Sequence, residues 1–283
     1  MGSVGKVGVV GAGTMGAGIA QTFATAGYDV TMVDLATPQL ERGLAAIASS
    51  LAKLEEKRKL PGAPSEILAR IRTSTDVSAV ADAGLVVEAV FEDPKVKADL
   101  FGRLDGVTAK DVILVTNTSS ISIDSLAART ARPGLVAGMH FMNPVPIMQL
   151  VEVVRGPRTS DRTLATVIEL AKKLGKTPVV SVDRPGFIAN RVLMPMINEA
   201  FFALEEKVGT AEDIDLVMTL GMNHPIGPLR LADLIGLDVV LAILEVLERD
   251  LGDRKYTPAP MIRRYVEAGN LGRKTGRGVY VYR

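Results

Sequence analysis

Six consecutive residues, Gly11-Ala12-Gly13-Thr14-Met15-Gly16, constrain this chain more than any other stretch. They read G-x-G-x-x-G. An apolar run, Val7–Val10, precedes them, and a helical pattern, Thr14–Ala26, starts within them. A strand that turns at once into a helix needs each glycine for its own reason. Gly11 permits the tight turn, Gly13 lets the backbone approach a pyrophosphate, and Gly16 lets helix and strand pack closely. The helix start offers N–H groups and a positive dipole end to an anion. Gly11, Gly13, Thr14, Met15 and Gly16 are therefore the expected pyrophosphate cradle. Asp34 ends the next β-branched run, 18 residues after Gly16. An acid there accepts both ribose hydroxyls of an adenosine and repels a 2′-phosphate. Residue 35 is Leu rather than Arg, so NAD is expected in preference to NADP. The rival reading is a glycine turn with Asp34 capping a loop.

The pattern continues. Strands are expected at Val4–Val10, Asp29–Val33, Leu85–Glu88, Val112–Thr116, Leu135–His140, Gln149–Val154 and Thr177–Val182. Helical periodicity falls between most of them, at Pro38–Lys59, Pro94–Leu104 and Asp161–Leu174. Alternating strands and helices predict an α/β, Rossmann-type, doubly wound parallel sheet. The character changes at Asp183-Arg184-Pro185-Gly186, where Pro and Gly punctuate the chain. Long helical patterns follow at Phe187–Glu206, Ala211–Leu220 and Asp238–Leu251. The expected domains are 1–183, binding NAD, and 184–283, all-α and serving substrate and dimerisation. In the second, Val192, Leu193, Met194, Met196, Ile197, Phe201, Phe202 and Leu204 put apolar side chains on more than one helix face. The spare face predicts a homodimer.

Composition closes off other classes. With 33 basic and 32 acidic residues the net charge is +1, which argues against nucleic-acid and membrane partners. There is no cysteine, so disulfides, thiolate nucleophiles and zinc–thiolate sites are excluded. No metal site is expected. The apolar stretch from Val7 to Ala26 is broken by five glycines and makes a poor membrane span. The N-terminus has no basic n-region before an apolar one, and a cytoplasmic location is expected.

The chain has two histidines. His224, before Pro225, reads as a loop residue. His140 ends a strand, and in an open α/β sheet the carboxyl ends of strands face the ligand crevice. Twelve residues on, Glu152 interrupts the apolar run Leu150–Val154. A carboxylate there faces water or needs a buried partner. The turn Asn143-Pro144-Val145-Pro146 can fold the second strand back and bring Glu152 to His140. A paired imidazole is the base that alcohol oxidation requires. Structural roles for both residues remain the alternative. Asn117-Thr118-Ser119-Ser120 also follows a strand. Ser119 can hydrogen-bond a substrate oxygen, although such a cluster also serves as a helix N-cap. Asn190 falls in the first turns of the second domain and faces the interdomain cleft or solvent.

Together these stretches resemble the short-chain L-3-hydroxyacyl-CoA dehydrogenase family, which includes bacterial 3-hydroxybutyryl-CoA dehydrogenases. The resemblance runs along nearly the whole chain. It rests on Gly11–Gln21, Val86–Phe101, Asn117–Ile123, His140–Gly156, Pro185–Arg191, Gly227–Asp238 and Gly272–Tyr280. It implies NAD-dependent oxidation of (S)-3-hydroxyacyl-CoA, short-chain in character, with His140 as general base and Glu152 as its carboxylate. It implies that Ser119 and Asn190 orient substrate and cofactor. Asp34, Glu92, Lys97, Asn117, Ser119, Asn143 and Lys274 are then cofactor contacts, and Ser50, Lys57 and Ser119 acyl-CoA contacts. Each has a plainer rival. Glu92-Asp93-Pro94 is also a helix start, which makes Lys97 a surface residue. Lys57 also belongs to a charged helical face, and Lys274 to a glycine-rich turn. Two other functions stay open: a dehydrogenase of a free hydroxy or sugar acid, and a non-catalytic NAD-binding protein.

Overall fold

The computed structural model describes residues 4–282. The chain divides after Arg184 into two compact units. The first contains strands β1 (Lys6–Val10), β2 (Asp29–Val33), β3 (Ile71–Ser74), β4 (Leu85–Glu88), β5 (Ile113–Thr116), β6 (Val136–Phe141), β7 (Leu150–Arg155) and β8 (Thr177–Val182). Its helices are α1 (Thr14–Thr25), α2 (Thr37–Glu56), α3 (Pro64–Ala69), α4 (Pro94–Val107), α5 (Ile123–Ala127) and α6 (Asp161–Lys173). The second contains α7 (Ala189–Glu205), α8 (Ala211–Leu216), α9 (Pro228–Ile235), α10 (Leu237–Leu251) and α11 (Pro260–Glu267).

The strands form one sheet in the order β3-β2-β1-β4-β5-β6-β7-β8. This is the doubly wound architecture expected from the alternation. Pairing is parallel from β3 to β6, β7 runs antiparallel to β6, and β8 is parallel to β7. The strand order reverses between β1 and β4, and a crevice opens there at the carboxyl ends. β4 and β5 are buried along their whole length. That is why they read as unbroken apolar runs rather than alternating ones.

One core cluster packs Ile19 and Phe23 of α1, Ile47 and Leu51 of α2, and Val167 and Leu170 of α6 against Val9, Met32, Val115 and Met139 of the sheet. The second unit has its own core, built around Met194, Ile197, Phe201, Leu237, Val240, Leu244 and Ile262. Five elements lie outside the sequence expectation: β3, α3, α5, α9 and α11. β3 carries one buried apolar residue, Ile71, so its strand character comes from pairing with β2 rather than from periodicity. α5 and α3 are only five and six residues long. The helix expected at Ala211–Leu220 stops at Leu216 and passes into a π-turn over Val217–Gly221. No helix among the described residues is long and apolar enough to cross a membrane.

Glycine packing gives a direct test. A Cβ on Gly16 would lie 1.8 Å from the carbonyl oxygen of Gly11, whereas one on the exposed Gly102 of α4 meets nothing closer than 3.8 Å. Gly16→Ala is expected to destabilise by about 1–3 kcal/mol, as overpacking does. Gly102→Ala is expected to stabilise by about 0.5–1 kcal/mol, by restricting the unfolded chain and favouring helix. Urea unfolding of the two variants checks both signs.

Candidate active site

The glycine turn joins β1 to α1 at the sheet's switch point. Gly11 adopts φ +107°, and a Cβ there would meet the Ala89 carbonyl at 2.4 Å. Gly13 is the N-cap of α1, and a Cβ on it would meet nothing within 4 Å. Its missing side chain therefore leaves open space over the helix start. No side chain caps this end of α1, and no acidic residue occupies the first turn. A bare N–H terminus beside open space suits a pyrophosphate. Asp34, just past β2, accepts a hydrogen bond from the Ala12 N–H at 2.8 Å, which ties the acid to the turn. Gly11, Gly13, Thr14, Met15 and Asp34 line a cleft of about 810 Å³, closed on its other side by residues after β4 and on α4. The residues present fit a dinucleotide.

At the far side of the sheet β6 and β7 pair antiparallel, with His140 directly opposite Glu152. Nδ1 of His140 lies 2.9 Å from Oε2 of Glu152. The residues are 8% and 1% exposed. The turn after β6 does fold the next strand back, as the proline pattern suggested. The Asn117 side-chain oxygen accepts the Phe141 N–H at 2.9 Å and links the loop after β5 to the residue following His140. Asn143 is exposed in the loop between the two strands.

Between these two regions lies a buried ionic cluster. Lys97 of α4 is 1% exposed, and Nζ sits 2.7 Å from Glu88 and 3.0 Å from Glu92. The surface position that a plain helix start would give Lys97 is therefore not what is observed: α4 points it inward to two carboxylates. Glu88, fully buried at the end of β4, also accepts from the Val90 N–H at 2.7 Å and the Thr116 hydroxyl at 2.6 Å. Glu92 accepts from the Thr118 hydroxyl and, at 2.9 Å, from the Ser119 N–H. Asn117–Ser120 is not a helix cap: Ser122 caps α5 instead. Glu88 was missed in the sequence. Its only signal is a charge closing an apolar run nine residues before Lys97.

Ser50 is half-buried and Lys57 exposed, the latter just beyond the end of α2. Seven residues apart, they share one face of the helix line. In the second unit Asn190 is 8% exposed in the first turn of α7, so it does not face open solvent. Lys274 is exposed and pairs with Asp238 at 2.6 Å.

A mostly parallel sheet with a ligand-ready glycine turn at its switch point, and a carboxylate-paired histidine at another strand's carboxyl end, is the equipment of a nucleotide-dependent oxidoreductase. Comparison with known proteins narrows this. Residues 6–184 match the family described as 3-hydroxyacyl-CoA dehydrogenase, NAD binding domain, and residues 186–282 match its C-terminal domain. The chain belongs to the 3-hydroxyacyl-CoA dehydrogenase family, and its first unit binds NAD. It is 54% identical to a probable 3-hydroxybutyryl-CoA dehydrogenase of Deinococcus radiodurans, covering 98% of this chain and 100% of the relative. It is 48% identical to the 3-hydroxybutyryl-CoA dehydrogenase of Clostridioides difficile, covering 98% and 99%. The crystal structure of the (S)-3-hydroxybutyryl-CoA dehydrogenase from Ralstonia eutropha superposes with a TM-score of 0.95 at 51% identity, covering 99% and 100%.

Glu92 carries a pH signature. Burial pushes its pKa up, but the Lys97 ammonium and the hydrogen bonds from Thr118, Ser119 and Lys97 outweigh this and hold it below the ordinary 4.5. A lowered native value means that the stabilisation is complete above about 4.5 and is lost as pH falls through the native value. Glu92→Gln is expected to be less stable than wild type at pH 7 and to lose less stability on acidification through that window. Circular dichroism melts between pH 7 and pH 3 check this, and parallel acid limbs would count against it.

Proposed function

We propose that this chain oxidises (S)-3-hydroxyacyl-CoA, with 3-hydroxybutyryl-CoA as the short-chain substrate, to the 3-oxoacyl thioester. The observation that carries the reading is the buried His140–Glu152 pair, held at 2.9 Å by antiparallel register. NAD, when bound, supplies the two-electron acceptor. With Glu152 ionised and engaged at Nδ1, that nitrogen carries the ring hydrogen and Nε2 is left as the base. His140 then takes the hydroxyl proton at Nε2, and Glu152 steadies the imidazolium that forms. Ser119, with its N–H on Glu92, orients the substrate oxygen.

Asn190 and Lys274 belong to the second unit, and their roles as substrate-orienting residue and cofactor contact rest on the family resemblance. Ser50 and Lys57 offer a hydroxyl and an ammonium to the phosphates of coenzyme A. A free hydroxy or sugar acid is the second reading. The exposed Lys57 beside Ser50 on one face supports the thioester instead, because a free acid has no phosphate to use it. NADH oxidation with acetoacetyl-CoA, compared with acetoacetate, separates the two.

The His140→Gln enzyme is expected to lose about 10²–10⁴-fold in rate while binding NAD nearly as well as wild type, since general-base catalysis is worth that much. Glu152→Gln should also lose a large factor, and the double variant should be little worse than the worse single one, because the pair acts as a unit. A folded His140→Gln enzyme that works within a fewfold of wild type removes the pair from the mechanism.

The partner in this reading is a second copy of the chain, docked through the second unit. Met194, Ile197 and Phe201 are consumed by that unit's own core, but Val192, Leu216, Val217, Leu220 and Met222 remain exposed. Light scattering at micromolar concentration should report twice the 30.0 kDa chain mass. A fully active monomer refutes the dimer.

A further inference from the structure

Lys176 stands between α6 and β8 and lines a pocket together with Lys57. It is 9% exposed. Nζ donates to the carbonyl of Val145 at 2.6 Å and to that of Met148 at 2.8 Å. The N–H of its neighbour, Thr177, donates to the Gln149 carbonyl at 2.8 Å. Two adjacent residues thus hold three carbonyls of the single loop, 142–149, that joins β6 to β7. Within that loop the Ile147 and Met148 N–H groups both donate to the Pro144 carbonyl at 3.0 Å. On its other side the loop presses on α1: Val145 is 2% exposed, and a Cβ on Gly18 would lie 2.9 Å from its Cβ.

A largely buried ammonium is an expensive clamp, since charge is costly to bury unless well hydrogen-bonded. Burial pushes its pKa below the ordinary lysine value. An apolar side chain would fill the space, but it would not orient two carbonyls. What the cation gains is direction: three donors on one point charge, two of them spent on fixed loop oxygens. The loop carries Asn143 and sets how β7 re-enters the sheet opposite His140.

We propose that Lys176 is a positioning residue of the dehydrogenase, clamping the β6–β7 loop so that Asn143 and the His140–Glu152 pair keep their working geometry. This rests on the dehydrogenase reading of that pair. The test compares wild type, Lys176→Met and Lys176→Arg at a temperature well below each melting point. Lys176→Met should lower kcat for acetoacetyl-CoA reduction about tenfold, the scale of losing charge-assisted hydrogen bonds. ADP-ribose, which reports the glycine turn and Asp34 rather than the loop, should bind within twofold of wild type. Amide exchange at Ile147 and Met148 should quicken about tenfold by the same reasoning. Lys176→Arg, which keeps the charge and more than one donor, should recover most of the rate and the protection.

A Lys176→Met enzyme with unchanged kcat, or with unchanged exchange in the loop, overturns the proposal. So does a variant whose ADP-ribose affinity and melting point fall in step with its rate, because that is the mark of a general structural role. If wild type itself fails to turn over acetoacetyl-CoA, the dehydrogenase reading fails, and the proposal with it as a statement about catalysis. The exchange data still decide whether the clamp exists.

Discussion

The antiparallel pairing of β7 with β6 is the constraint on which the His140–Glu152 contact depends. Every other strand from β3 to β6 enters the sheet in the same direction, and each needs a crossover to do so. After Phe141 the chain instead turns back along its own edge, and cross-strand partners are set residue by residue. Side chains alternate faces with a period of two, so a slip of one residue would carry Glu152 to the opposite face from His140. The observed register puts them opposite each other. The loop that makes the reversal is short, crowded against α1 and tied to the start of β8, so it has little freedom to shift.

A second constraint is electrostatic. The Glu88–Lys97–Glu92 cluster joins β4, α4 and the loop after β5, and every Glu88 oxygen has a donor. Breaking a buried pair by removing one partner typically costs about 3–5 kcal/mol, because the remaining charge is stranded. An exposed pair such as Lys274–Asp238 is worth about 0–1 kcal/mol. The buried cluster therefore decides where Ser119 sits, and the surface pairs decide little. Lys97 belongs to α4, whose Val96, Asp99, Leu100 and Arg103 line the wall of the cofactor cleft. The cofactor cleft and the loop after β5 are thus linked through α4 within the first unit.

Much of the site was legible because its signals are local. Gly16 is demanded by a backbone contact only five residues away, and the strand that carries His140 near its end announces itself by its own apolar run. Periodicity also revealed α1, α2, α4, α6, α7 and α10, whose buried stripes are long. It did not reveal β3, α9 or α11. β3 is a strand because β2 offers it a ladder. α9 and α11 are only eight residues each, too short to establish a period.

What the sequence determined by itself was the class of fold, the cofactor turn and the acid just past β2, and it singled out His140 and Glu152 as candidates for a pair. Those follow from glycine stereochemistry, strand and helix periods, and the scarcity of histidine. Only the tertiary structure decided which charges are buried. Lys97 and Lys176 look like any lysines of a soluble surface, and nothing within a few residues of either distinguishes them. Their burial depends on partners distant in sequence or on another element, two carboxylates for one and two loop carbonyls for the other. A desolvated charge is tolerated only where the completed fold brings such partners within hydrogen-bond reach.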